Sequence, residues 1–135
     1  MAKFVATDYN ITIGGSDFSS SIASLSLDIE VDEQETTAFG STFRSRIGGL
    51  KNATCTIDFH QDFAASSVDS TLFAALGTNV AIVLKPTSAA VGATNPTYSF
   101  NALVTQTQPF NSSVGDLATV SVTWPVDGAV TRATS

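Results

Sequence analysis

The sequence predicts an all-β domain with one short helix. Three observations carry that reading. Apolar and polar residues alternate over most of the chain, the period of a half-buried strand. Glycine-bearing turn signals separate the alternating stretches. Only one stretch, 68–76, spaces its apolar residues as a helix does. The 135 residues suit one domain spanning 1–135, and no linker, internal repeat or composition break divides them.

Ile11 and Ile13 alternate with Asn10 and Thr12 and read as a short strand. Gly14-Gly15-Ser16-Asp17 follows with hairpin turn chemistry, because glycine reaches positive φ without a Cβ clash. The next strand is the clearest. Leu25, Leu27, Ile29 and Val31 fall on one face, with Ser24, Ser26, Asp28, Glu30 and Asp32 on the other. A slip of one residue would bury carboxylates, so its register is well specified. Alternation then stops over about 33–51, which predicts a long loop. Its apolar residues Phe39, Phe43, Ile47 and Leu50 have little reason to be there unless they pack against something, such as a neighbouring chain.

Period two returns with Ala53, Cys55, Ile57 and Phe59, opposed by Thr54, Thr56, Asp58 and His60. Ser67 is a plausible N-cap for a helix from Val68 to Leu76, with Asp69 in the first turn and Gly77 at its end. Val68, Leu72, Phe73 and Leu76 form its apolar stripe. The apolar run from Val80 to Leu84, ended by Pro86, predicts a strand buried on both faces. Residues 87–96 read as a loop. Tyr98, Phe100, Ala102 and Val104 mark a strand over 97–107, ended by Pro109. After a turn at 111–115, the last strand runs from Leu117 to Trp124, and the tail from Pro125 to Ser135 is expected to fray.

Composition narrows the function. Twelve acids against six bases give a net charge of −6, which disfavours gripping nucleic acid. The acids Asp28, Glu30, Asp32, Glu33 and Glu35 cluster ahead of the bases Arg44, Arg46 and Lys51. Two readings stand: two solvated faces, or complementary contacts between subunits. No apolar run is long enough to span a membrane, and the opening MAKFVATDYN lacks the apolar core of a secretory signal. The single Cys55 can form no internal disulfide and reads as a buried small hydrophobe. We read no enzyme here. Asp58 and His60 share a strand face, but no nucleophile motif such as G-x-S-x-G accompanies them. We read no metal or other cofactor either. Asp28-x-Glu30-x-Asp32 loosely mimics a calcium loop, but Glu33 stands where that loop needs glycine. A strand also spreads these carboxylates along a line, about 6.6 Å apart.

The stretch from Thr36 through Phe39-Gly40, Phe43-Arg44-Ser45-Arg46 and Ile47-Gly48-Gly49-Leu50-Lys51-Asn52, running into the strand that begins near Cys55, resembles major tail tube proteins of long-tailed bacteriophages. The closing Trp124-Pro125-Val126-Asp127-Gly128 through Arg132 resembles their C-terminal end. The resemblance implies a β-sandwich or barrel-like tail tube fold with one flanking helix. It implies hexameric rings that stack into a tube, located in the virion tail and assembled in the host cytoplasm. Double-stranded DNA would pass through without sticking, and tape measure and tail completion proteins would be partners. On that frame Ser24, Ser26, Asp28, Glu30, Thr54, Thr56 and Asp58 are the candidate lumen residues. Phe39, Phe43, Arg44, Arg46, Ile47, Leu50 and Lys51 form the candidate inter-subunit loop. The rival reading is a capsid decoration or adhesin-like β-sandwich that binds a surface.

Overall fold

The alternating stretches become strands in the computed structural model, which describes residues 3–135; the first two residues of the opening segment lie outside it. In chain order these are β1 (Asn10–Ile13), β2 (Ser16–Asp17), β3 (Ile22–Glu35), β4 (Arg46–His60), helix α1 (Val68–Ala75), β5 (Asn79–Lys85), β6 (Thr97–Leu103) and β7 (Thr119–Ala133). All pairings are antiparallel, in the order β2-β1-β5-β6-β7-β4-β3. Among the described residues no helix is long and apolar enough to cross a membrane.

The sheet doubles back at β7. Its first half pairs with β4, from Thr119 opposite His60 to Pro125 opposite Thr54. Its second half pairs with β6, from Val126 opposite Ala102 to Ala133 opposite Thr97. Two layers therefore face each other, and the result is a sandwich curled like an open barrel. Both layers fill one core. Ile11, Ile13, Ile82, Phe100 and Ala102 come from one side, and Cys55, Ile57, Phe59, Val120, Val122 and Trp124 from the other. Burying each large apolar side chain stabilises the fold by roughly 1.5–3 kcal/mol. Trp124 is fully buried, packs near Phe59 with ring centroids 6.5 Å apart, and donates its indole N–H to the Gln106 carbonyl at 3.0 Å.

Five expectations change. The strand expected over 97–107 ends at Leu103, because the chain beyond it leaves β5 and turns to bond the edge of β7 through the Gln106 and Gln108 side chains. The tail after Trp124 is strand as far as Ala133, because Pro125 stands where β7 changes partners and needs no ladder donor. A bulge at 128–130, with Gly128 at φ +93°, then resets its register against β6. The run from Val80 to Leu84 is buried on one face only. Ile82 and Leu84 point inward, while Ala81 is exposed on the outer face. In α1, Val68 and Leu72 are buried but Phe73 stays 68% exposed, because eight residues cover only a small part of the core. Ser67 holds the N-cap position without a side-chain capping bond. Finally, 33–51 is not one loop. Residues 33–35 and 46–51 are paired strand, and the connecting loop is 36–45.

Candidate functional site

The sequence and register of β3 and β4 create two features: a polar outer face and a protruding arm. The face follows from strict alternation locked by pairing. Ser24 lies opposite Asp58, Ser26 opposite Thr56, Asp28 opposite Thr54 and Glu30 opposite Asn52. All seven candidate lumen residues therefore share one side of the sheet, while Leu25, Leu27, Cys55, Ile57 and Phe59 take the core side. β7 widens the same face. Thr119, Ser121 and Thr123 lie opposite His60, Asp58 and Thr56, and their neighbours Val120, Val122 and Trp124 are buried. These three were not among the sequence candidates. Their alternation was visible, but the pairing of β7 with β4 was not.

Hydrogen bonds stiffen this face. Ser24 Oγ donates to Asp58 Oδ2 at 2.7 Å, and the Thr56 and Thr123 hydroxyls meet at 3.4 Å. The Ser24 hydroxyl, followed by that of Ser121, holds the Asp58 carboxyl below its usual range. Asp58 thus keeps its negative charge into mild acid. The face carries Asp28, Glu30 and Asp58 and no lysine or arginine, since Lys51 pairs with Val31 on the other side. The free edge of β7 beside it is covered by residues 106–111, where Ser121 N donates to Gln108 Oε1 and Gln106 Nε2 to the Thr123 carbonyl. Asp58 is engaged by Ser24, while His60 Nδ1 is buried without a hydrogen-bond partner. No base and orienter pair is assembled on this face.

The arm is the far half of the β3–β4 hairpin. Beyond Ile29 and Ala53 the two strands run on past the opposing layer. Ile29 and Val31 are each 50% exposed, and Ile47, Leu50, Phe39 and Phe43 more so. Two of the three expected basic residues do not stand free. Arg44 pairs with Glu35 at 3.3 Å and Arg46 with Glu33 at 2.6 Å, both on the surface. The acidic and basic segments thus meet within one hairpin, each pair contributing at most about 1 kcal/mol. Where the register shifts beyond Val31, Gly48 and Gly49 allow a close crossing. A Cβ on Gly48 would meet Val31 Cγ1 at 3.2 Å, and one on Gly49 would meet the Asp32 carbonyl at 3.3 Å.

Comparison with known proteins places the fold. No known protein family and no curated protein matches the sequence. Two solved structures share the architecture over nearly the whole length. One is a chain from the virion of a native gene transfer agent particle, at a TM-score of 0.69 and 12% identity, covering 93% of this chain and 95% of that one. The other is a chain from the baseplate of the anti-feeding prophage, solved with 6-fold symmetrisation, at a TM-score of 0.52 and 11% identity, covering 98% of this chain and 97% of that one. The all-β fold with one short helix is thus one used by components of phage-like particles.

Proposed function

We propose that this chain is a structural, non-enzymatic virion component, the major tail tube protein of a phage-like particle. Copies close into six-membered rings, rings stack, and the polar face of β3, β4 and β7 lines a channel for DNA. The observation that carries this reading is that face: serine, threonine and carboxylate side chains across three strands, with no lysine or arginine. Such a surface hydrates well and repels phosphate, so a duplex slides past it. At physiological salt the repulsion is screened over about 8 Å, which keeps the backbone off the wall without long-range force.

Dimensions and edges support the same reading. β7, β4 and β3 are consecutive in the sheet and share the polar face. Three strands from each of six copies would make a barrel of about 18. At ~4.8 Å spacing and ~40° tilt its backbone diameter is ~36 Å. Side chains leave roughly 25 Å, wider than a duplex of about 20 Å. β3 is a terminal strand of 14 residues with a neighbour on one side only, a long open edge that a second copy would cover. The fold likeness to particle components, one solved with 6-fold symmetrisation, agrees with this assembly.

The test is negative-stain microscopy of the purified protein over a range of concentrations. Rings or tubes are expected. Small discrete particles at every concentration would overturn the tube and favour a decoration or adhesin-like role.

A further inference from the structure

The two ends of the sandwich differ in shape and charge. At the base, where β4 finishes and β7 begins, Phe63, Phe110, Val114 and Leu117 are all exposed. Phe63 and Phe110 face each other with ring centroids 5.8 Å apart. The segments that carry them are clamped together. Gln61 Nε2 donates to the Pro109 carbonyl at 2.9 Å, Gln61 N to the Ala118 carbonyl at 2.9 Å, and Asp116 N to the Ser113 carbonyl at 3.0 Å. An apolar cluster fixed at the surface in this way is a contact surface rather than a loose loop.

The opposite end carries a matching concavity. Beneath the arm an apolar groove of about 480 Å³ is walled by Tyr9, Leu27, Ile29, Leu84, Pro86 and Tyr98. Charge separates the ends as well. The base presents Asp62, Asp69 and Asp116 and no cation. All six cations lie toward the arm end. Arg44, Arg46 and Lys51 are on the arm, and Lys85 lines the groove. Arg132 donates to the Tyr98 hydroxyl of the groove, and Lys3 adjoins Phe4 on its wall. Of the acids at that end, Glu33 and Glu35 are neutralised by Arg46 and Arg44, and Asp8 is held by Ser88. Glu30 and Asp32 lie on the arm, flanking the Val31 that pairs with Lys51. Two bases brought together would set Asp62 and Asp116 against their own copies, which is repulsive. Base against arm end sets aspartates near lysines.

We infer that copies of this chain join end to end through two different surfaces, the Phe63–Phe110 cluster of one copy seating in the groove beneath the arm of the next. The inference rests on the proposed tube and assigns its axial contact. A contact between unlike surfaces leaves one free at each end, so it propagates without closing.

Two experiments test it. Cys55 is fully buried and burial pushes its thiol up to about 12, so introduced cysteines react without interference. Val114→Cys and Pro86→Cys placed in one chain should give, on mild oxidation, a ladder of dimers, trimers and longer products. Each single variant should stay monomeric on a denaturing gel, and a mixture of the two should stop at dimers. Dimers from either single variant alone, or tubes without cross-links from the double variant, overturn the inference. In the second experiment, Phe63→Ser with Phe110→Ser should leave the thermal melt unchanged and reduce tubes to separate rings. Full-length tubes from that variant overturn the axial contact and leave the ring reading standing. An unaltered protein that stays single however concentrated overturns both.

Discussion

The root and the tip of the β3–β4 hairpin follow the same two-residue alternation and meet opposite surroundings. At the root, Leu25 and Leu27 pack against the core and Ile57 is fully buried opposite Leu25. Farther out the ribbon finds less to cover it: Ile29 only borders the groove beneath the arm, and Val31, Ile47 and Leu50 stand largely in water. Pairing continues across this boundary. Backbone hydrogen bonding therefore holds the arm extended, while its side chains add little to the stability of a single copy. The difference teaches that an apolar strand face is not evidence of a core within the same chain.

The sharpest way to break this comparison is truncation at matched positions. Ile57→Ala should cost about 2–5 kcal/mol in denaturant unfolding of the single chain, because it opens a cavity in the core. Val31→Ala should cost less than about 0.5 kcal/mol in the same measurement. Equal losses would mean that the arm folds back onto its own sandwich. Next in size, Phe39→Ser with Phe43→Ser should leave unfolding unchanged and lower the yield of rings or tubes at least severalfold by microscopy.

How much of this was legible in the sequence depended on distance along the chain. The faces of β3 and β4 were readable because alternation is local: Ser24, Ser26 and Asp28 oppose Asp58, Thr56 and Thr54, as their types require. The reach of the arm was not. Gly48, Gly49 and the register shift near Val31 interrupt the period, so paired strand at 46–51 reads as loop. The third strand of the polar face escaped for another reason. That Thr119, Ser121 and Thr123 join it is decided by β7 pairing with residues 59 to 67 positions earlier in the chain, which no local pattern records. The exit at Pro125 misled as well, since a residue that cannot donate to a ladder reads as a strand end, yet it is tolerated where the ladder changes partner.

Smaller effects sharpen the polar half of the comparison. Asp28→Lys with Glu30→Lys should still permit rings but slow DNA delivery in an infection or ejection assay, because phosphates would then adhere to the wall. Unchanged delivery would remove these residues from the channel. The least effect is acid–base. Ser24→Ala should raise the Asp58 pKa toward 3.8, visible in a carboxyl NMR titration. Since the folded-state value is the lower one, the stabilisation is present above the ordinary carboxylate pKa. It is lost as pH falls through the folded value. The native protein should therefore lose stability on acidification below about pH 4 more than the Ser24→Ala variant does.

β7 belongs to both layers, leaving Trp124 beneath one and Val126 beneath the other with a single proline between them. A force that shears one layer over the other must stretch that continuous backbone. Each copy will therefore deform as a rigid brick. Any flexing of a filament made from such bricks will fall on the joints between them, where only side chains meet.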